Sequence, residues 1–171
     1  NGFIGSHLCA AHLSEGNAVL AICNTNSQSV PQGCTIVSFE NAGEMFFDQL
    51  FIAIGSHAAS HEEFIKQHVF LQQVIATLKF GRVIFISSIA VYGNHSTPIN
   101  IDSCYCNPSI YGQAKLAQEF LIKSCADYVI IRPTYIYGNG MGKNSLLPIW
   151  VQHALNSSKI TVYGNGARWQ D

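Results

Sequence analysis

Short, continuously apolar runs alternate along this chain with stretches of helical period. Residues 18–23, 35–39, 49–54, 82–87 and 128–132 are runs of strand length, several of them rich in Val, Ile and Phe. Between them, residues 6–14, 61–79 and 111–124 read as helices. In the longest, Phe64, Ile65, His68, Leu71, Val74, Ile75 and Leu78 fall on or near one face. Residues 147–156 predict a further helix and 159–163 a last strand. Strands apolar on both faces, each followed by a helix, predict a parallel sheet covered on both sides. The fold class expected is therefore α/β with a doubly wound, Rossmann-like parallel sheet, whose ligands lie beyond the carboxyl ends of the strands. Residues 94–108, rich in Asn, Ser, Cys and Pro, form a long loop of the kind that often carries function.

Composition narrows the class. The 171 residues suit one domain over 1–171, and 48% hydrophobic against 11% charged residues excludes a disordered chain. No apolar run reaches the roughly 20 residues of a membrane span, and no signal peptide is expected, since residues 1–20 lack a basic stretch followed by an apolar run. All nine basic residues lie from Lys66 onward, yet they form no stripe, so nucleic acid is not an expected partner. Cys9, Cys23, Cys34, Cys104, Cys106 and Cys125 lack C-x-x-C spacing and are expected as free thiols in a reducing cytoplasm. Cys104-x-Cys106 alone is a weak metal signal. His57 and His61 find no third ligand, so no metal site is expected.

Asn1-Gly2-Phe3-Ile4-Gly5-Ser6-His7-Leu8 is a glycine-containing turn, over residues 1–5, leading into a helix. Such a turn lets backbone approach a pyrophosphate, which the helix N-terminus then holds. Two glycines also suit an ordinary tight turn, because a full dinucleotide fingerprint needs one more upstream. A strand should precede this turn and a closing element should follow Asp171, so the chain is expected to be cut at both ends. The run 18–23 ends in Cys23-Asn24-Thr25-Asn26, with neither a carboxylate for ribose hydroxyls nor a nearby cation for a 2′-phosphate. Asn24 or Thr25 could bond neutral hydroxyls, which favours NAD over NADP.

The strand 82–87 runs into Ser88, and Tyr111-Gly-Gln-Ala-Lys115 opens a helix. Tyr and Lys four apart share a helix face, and a cation near a phenol favours the phenolate. A serine at a neighbouring strand end can bond the same substrate oxygen. The three can take a proton from a carbinol while hydride leaves its carbon.

With these residues in view, the chain resembles, over essentially its whole length, the extended short-chain dehydrogenase/reductase family. The branch is that of NAD-dependent epimerases and dehydratases, UDP-glucose 4-epimerase-like. The resemblance rests on residues 1–8, on Ser87-Ser-Ile-Ala-Val-Tyr-Gly93, on Pro108-Ser-Ile-Tyr-Gly-Gln-Ala-Lys115, on Ile131-Arg-Pro-Thr-Tyr-Ile-Tyr-Gly138 and on 162–171. It implies Tyr111 as acid/base, Ser88 orienting the substrate hydroxyl, and Lys115 binding ribose and tuning Tyr111. It implies Gly2, Phe3, Ile4 and Gly5 at the pyrophosphate, Cys23 and Asn24 at the ribose, Ile54 and Gly55 near the adenosine, and Pro133 against the nicotinamide. Tyr135 and Gln170 would face the sugar nucleotide, and the full-length protein would be a homodimer.

Departures qualify the likeness. Cys23 stands for a ribose-binding Asp, His68 for a frequent Asn, Tyr135 for another, and Ile54-Gly55-Ser56 for an alanine-rich strand end. Gln170 stands for a diphosphate-gripping Arg, which Arg168 could replace. Dehydratases of this branch carry an acidic pair after the catalytic Ser or Thr; Ile89 and Ala90 occupy that stretch here. The expectation is an NAD-dependent nucleotide-sugar epimerase working through a keto intermediate. A keto-sugar reductase using NAD(P)H and an inactive dinucleotide-binding module are the alternatives.

Overall fold

A computed structural model describes residues 2–23, 30–55, 59–162 and 165. The chain divides into two compact units, Asn1–Pro133 and Thr134–Asp171.

In the first unit every strand pairing is parallel. β1 (Leu20–Ile22) pairs with β2 (Thr35–Val37), and β4 (Lys79–Ile86) lies between β3 (Phe46–Ile52) and β5 (Tyr128–Ile131). The register sets Phe51 opposite Ile84 and Phe85 opposite Ile130. The strand ends that carry Ile54, Ser88 and Pro133 therefore open on one edge of the sheet. The facing edges of β1 and β3 are not hydrogen-bonded to each other; they border a groove of about 960 Å³. Helix α1 (Phe3–Ser14) contributes Gly5, Leu8 and Cys9 to this groove, and no residue of α1 is buried.

The expected turn over residues 1–5 is short-lived: Gly2 is the N-cap and the helix begins at Phe3, not at Ser6. The Ser6 N–H already donates to the Gly2 carbonyl at 2.9 Å, which closes the first helical turn around Gly5.

The short helix α2 (Phe39–Ala42) begins at Ser38, whose hydroxyl accepts from the Asn41 N–H. α3 (His61–Thr77) begins at a capping box, where Ser60 and Glu63 each accept the other's backbone N–H. Its Leu71 and Val74 join Leu78, Ile52, Val83, Phe85 and Ile122 in the core. α4 (Ile110–Ile122) starts at Ser109, whose hydroxyl accepts from the Gly112 N–H, and contributes Ile122 to that core. Fully burying a Leu, Ile or Phe side chain is worth about 1.5–3 kcal/mol each, so this cluster anchors β3, β4, α3 and α4 to one another.

The second unit holds α5 (Leu146–Leu155). The last strand expected over 159–163 is not formed in its described residues 159–162, where Ile160 and Val162 are exposed. A strand needs a partner edge for its N–H and C=O groups, and no pairing forms there. Among the described residues no helix is long and apolar enough to cross a membrane.

Candidate active site

After β4 the chain passes through Ser87 and Ser88, both buried, into a 3₁₀ turn, Ile89–Tyr92. Ser88 caps that turn by accepting the Ala90 N–H at 3.1 Å. Close packing sets α4 against it. A Cβ on Gly112 would stand 2.2 Å from the Ala90 carbonyl oxygen, far inside contact distance. Only glycine lets the helix approach so near, and this approach brings Tyr111 to Ser88.

The Ser88 hydroxyl lies within reach of the Tyr111 phenol. Burial pushes the Tyr111 phenol above its ordinary range, and the nearby Ser88 hydroxyl draws it partly back. A phenol lowered by Lys115 was expected; here burial outweighs any such pull. The reason lies in where the amine goes. Lys115, 3% exposed, donates to the Ile54 carbonyl at 2.6 Å and to the Ile86 carbonyl at 2.9 Å. Its Nζ lies 5.9 Å from the centre of the Tyr111 ring and 4.8 Å from that of Phe85. Burial lowers its pKa to about 8, against a smaller opposing effect of Glu119.

The loop after β3 is shaped around this amine. Gly55 has φ +114°, and a Cβ there would meet Cε and Nζ of Lys115 at 3.2 Å. Ile54 and Gly55, expected near an adenosine, thus also seat the lysine. Gln67 of α3, half-buried, points its Oε1 to within 3.6 Å of that same Cβ position, and this oxygen is buried with no hydrogen-bond partner among the described residues. The sequence reading singled out its neighbour His68. The Pro133 carbonyl accepts the Ile89 N–H at 3.0 Å, so Pro133 sits beside the Ser88 turn.

A buried polar network escaped the sequence reading altogether. Glu119, fully buried, accepts from Ser87 Oγ at 2.5 Å and from Arg132 Nε and Nη2 at 2.9 and 2.6 Å. Arg132 also donates to the Tyr92 and Tyr105 hydroxyls at 2.6 and 3.0 Å, and Glu119 holds it well above the usual arginine range. The available signal was helical spacing: Tyr111, Lys115 and Glu119 are successive i, i+4 positions.

At the other end of the unit, a Cβ on Gly2 or Gly5 would meet nothing within 4 Å. Internal packing does not require glycine there, so the space beyond both Cα atoms is open to a ligand. Helix N–H groups of the first turn lack intrahelical acceptors and favour an anion. Phe3 and Ile4 open the helix, and Cys23 follows β1 beside the same groove. These residues fit a dinucleotide. Tyr135 lies in the second unit, and Asn24, Arg168 and Gln170 lie outside the described residues.

Comparison with known proteins places the chain by fold and family. A search of curated proteins finds no match. Among solved structures, UDP-N-acetylglucosamine 4-epimerase from Methanobrevibacter ruminantium M1, in complex with UDP-N-acetylmuramic acid, is similar at 25% identity and TM-score 0.79. The match covers 99% of this chain and 65% of that one. UDP-glucuronic acid 4-epimerase from Bacillus cereus, in complex with UDP-glucuronic acid and NAD, is similar at 21% identity and TM-score 0.74, covering 99% and 65%. TunA, an NAD-dependent NDP-hexosamine 5,6-dehydratase, is similar at 20% identity and TM-score 0.73, covering 99% and 64%. The chain therefore spans under two thirds of the length of these proteins. The model of the NAD dependent epimerase/dehydratase family matches residues 1–171. Matched from end to end by that model, the chain belongs to the NAD-dependent epimerase/dehydratase family.

Proposed function

We propose that the protein carrying this chain is an NAD-dependent epimerase of a nucleotide sugar, with Tyr111 as its acid/base. The observation that carries this reading is Ser88 within reach of the Tyr111 phenol, with Lys115 buried on the same helix face. Tyr111 takes the proton of a sugar hydroxyl that Ser88 orients. Bound NAD would supply the hydride acceptor and donor for that carbon. The keto sugar turns over in the site, its other face is reduced, and Tyr111 gives the proton back with the carbon inverted. A phenol raised by burial is protonated at neutral pH, ready for the donating half of the cycle. The accepting half needs positive charge nearby, and the Lys115 ammonium is the cation in reach. Gly2, Phe3, Ile4 and Gly5 would hold the pyrophosphate, Cys23 and Asn24 the ribose, Ile54, Gly55 and Lys115 the remaining cofactor, and Pro133 the nicotinamide face. Tyr135, Arg168 and Gln170 would take the sugar nucleotide. Exposed Ile65, Val69 and Phe120 on α3 and α4 support a homodimer of the full-length protein.

Ile89 and Ala90 follow Ser88 with no carboxylate between them, which favours epimerisation over dehydration. The same three groups would serve a keto-sugar reductase, and cofactor balance separates the two. An epimerase leaves NAD unconsumed; stoichiometric loss of NAD(P)H would establish the reductase. In the full-length protein Tyr111→Phe is expected to lower turnover by about 10²–10⁴-fold, the range for general acid–base catalysis, while NAD binding by calorimetry is kept. Unchanged turnover would remove Tyr111 from the chemistry.

A further inference from the structure

The loop between the Ser88 turn and α4 brings together three side chains that the proposed reaction does not use. A ring nitrogen of His95 and the thiol sulfurs of Cys104 and Cys106 lie within 4.8 Å of one another. The two sulfurs are 3.3 Å apart. We propose that His95, Cys104 and Cys106 form a binding site for a thiophilic divalent cation of the zinc type, with its remaining position open to solvent or an added ligand.

Distances favour it. Zn–S bonds of about 2.3 Å put two sulfurs on one tetrahedral ion about 3.8 Å apart. The same ion would hold the imidazole nitrogen about 3.5 Å from each sulfur, inside the 4.8 Å over which the three donors now spread. The donor set is also right, since soft thiolates with imidazole select zinc over magnesium or calcium.

The imidazole is oriented as well. His95 Nε2 faces the Cys104 carbonyl at 2.9 Å and the Tyr92 carbonyl at 3.2 Å. Carbonyls only accept, so Nε2 carries the proton and the lone pair of the neutral ring is on Nδ1. A backbone carbonyl holding one ring nitrogen is the usual outer support of a histidine that binds metal through the other.

The backbone is fixed too. The Cys106 N–H donates to the Tyr92 carbonyl at 2.7 Å, and the Asn94 N–H donates to the Cys106 carbonyl at 2.9 Å. A Cβ on Gly93, at φ +74°, would collide with that Cys106 carbonyl oxygen at 2.0 Å. The turn at Asn100 is held by Ser103 and by the Asp102 N–H bonded to Asn100 Oδ1. Binding releases two thiol protons and closes a ring from His95 to Cys106. It thereby clamps the loop to Tyr92, the last residue of the Ser88 turn.

Cobalt(II) is the probe, added to the reduced, metal-free full-length protein. One equivalent per chain is expected to give thiolate-to-cobalt charge-transfer bands and intense tetrahedral d–d bands, both displaced by zinc. The Cys104→Ser/Cys106→Ser variant is expected to lose both. His95→Ala is expected to weaken zinc at least about 10-fold in a chelator competition, since even outer-shell partners cost 10–100-fold. The Cys9→Ser/Cys34→Ser variant should keep the bands; Cys9, Cys34 and Cys23 are the other thiols that lie near one another. Circular dichroism confirms that each variant is folded. Absence of charge-transfer bands overturns the proposal, as does their survival in the Cys104/Cys106 variant or their loss in the Cys9/Cys34 variant. So does finding that Cys104 and Cys106 only oxidise to a disulfide, two hydrogens lighter by mass, without metal uptake.

Discussion

Lys115 concentrates the electrostatics of the candidate site in one residue. Its ammonium is buried with two carbonyl partners, and its pKa falls to about 8 because burial disfavours the charge. In the unfolded chain the same amine titrates near 10.4. Below about pH 8 both states hold the proton and the folded state bears the full cost of burying it. Between about 8 and 10.4 the unfolded chain binds more protons, so this group makes the fold more stable as pH rises. Relative to a Lys115→Met variant, the native protein is expected to gain about 3 kcal/mol across that window. Urea denaturation at pH 7.5, 9 and 10 checks it. Parallel pH curves for the two proteins would mean that the amine is not desolvated.

Among elements, the contact of α4 with the Ser88 turn decides the geometry. Gly112 leaves no room for a side chain against Ala90. Gly112→Ala is expected to push α4 away and separate Tyr111 from Ser88. The expected cost is about 1–3 kcal/mol of overpacking and about 100-fold in turnover from misplacement near 1 Å. A thermal melt and steady-state kinetics of the full-length enzyme measure the two. Turnover retained in a folded variant would show that the close approach is not required. Helix existence was legible from periodicity, but this contact was not, since Gly112 reads only as a helix-weakening residue between Tyr111 and Gln113. Strand limits were similarly hidden. β3 extends back to Phe46, beyond the apolar run 49–54, because pairing with Lys79 and Phe80 recruits Phe46 and Phe47, which Asp48 and Gln49 set apart from the apolar residues that follow.

Across the first unit, Glu119 and Arg132 tie together the end of β4, α4, the end of β5 and the loop that carries Tyr105. Removing one partner of a buried pair leaves the other charge uncompensated. Glu119→Leu and Arg132→Met are each expected to cost about 3–5 kcal/mol. The double variant should be less destabilised than either single one, because no unpaired charge remains. Denaturant unfolding of the three variants tests this, and simple additivity would refute the coupling.

The sequence by itself determined the alternation of strands and helices, the glycine approach to α1 and the Ser88, Tyr111, Lys115 set. Periodicity and i, i+4 spacing are local properties, written in neighbouring residues. Only the tertiary structure decided where Lys115 spends its hydrogen bonds, that Gln67 rather than His68 faces Gly55, and that Glu119 finds Arg132. It alone decided that His95 meets Cys104 and Cys106, and that residues 159–162 remain without a strand partner. Each depends on groups brought together by packing and pairing across the chain, and burial then sets their charge and their partners.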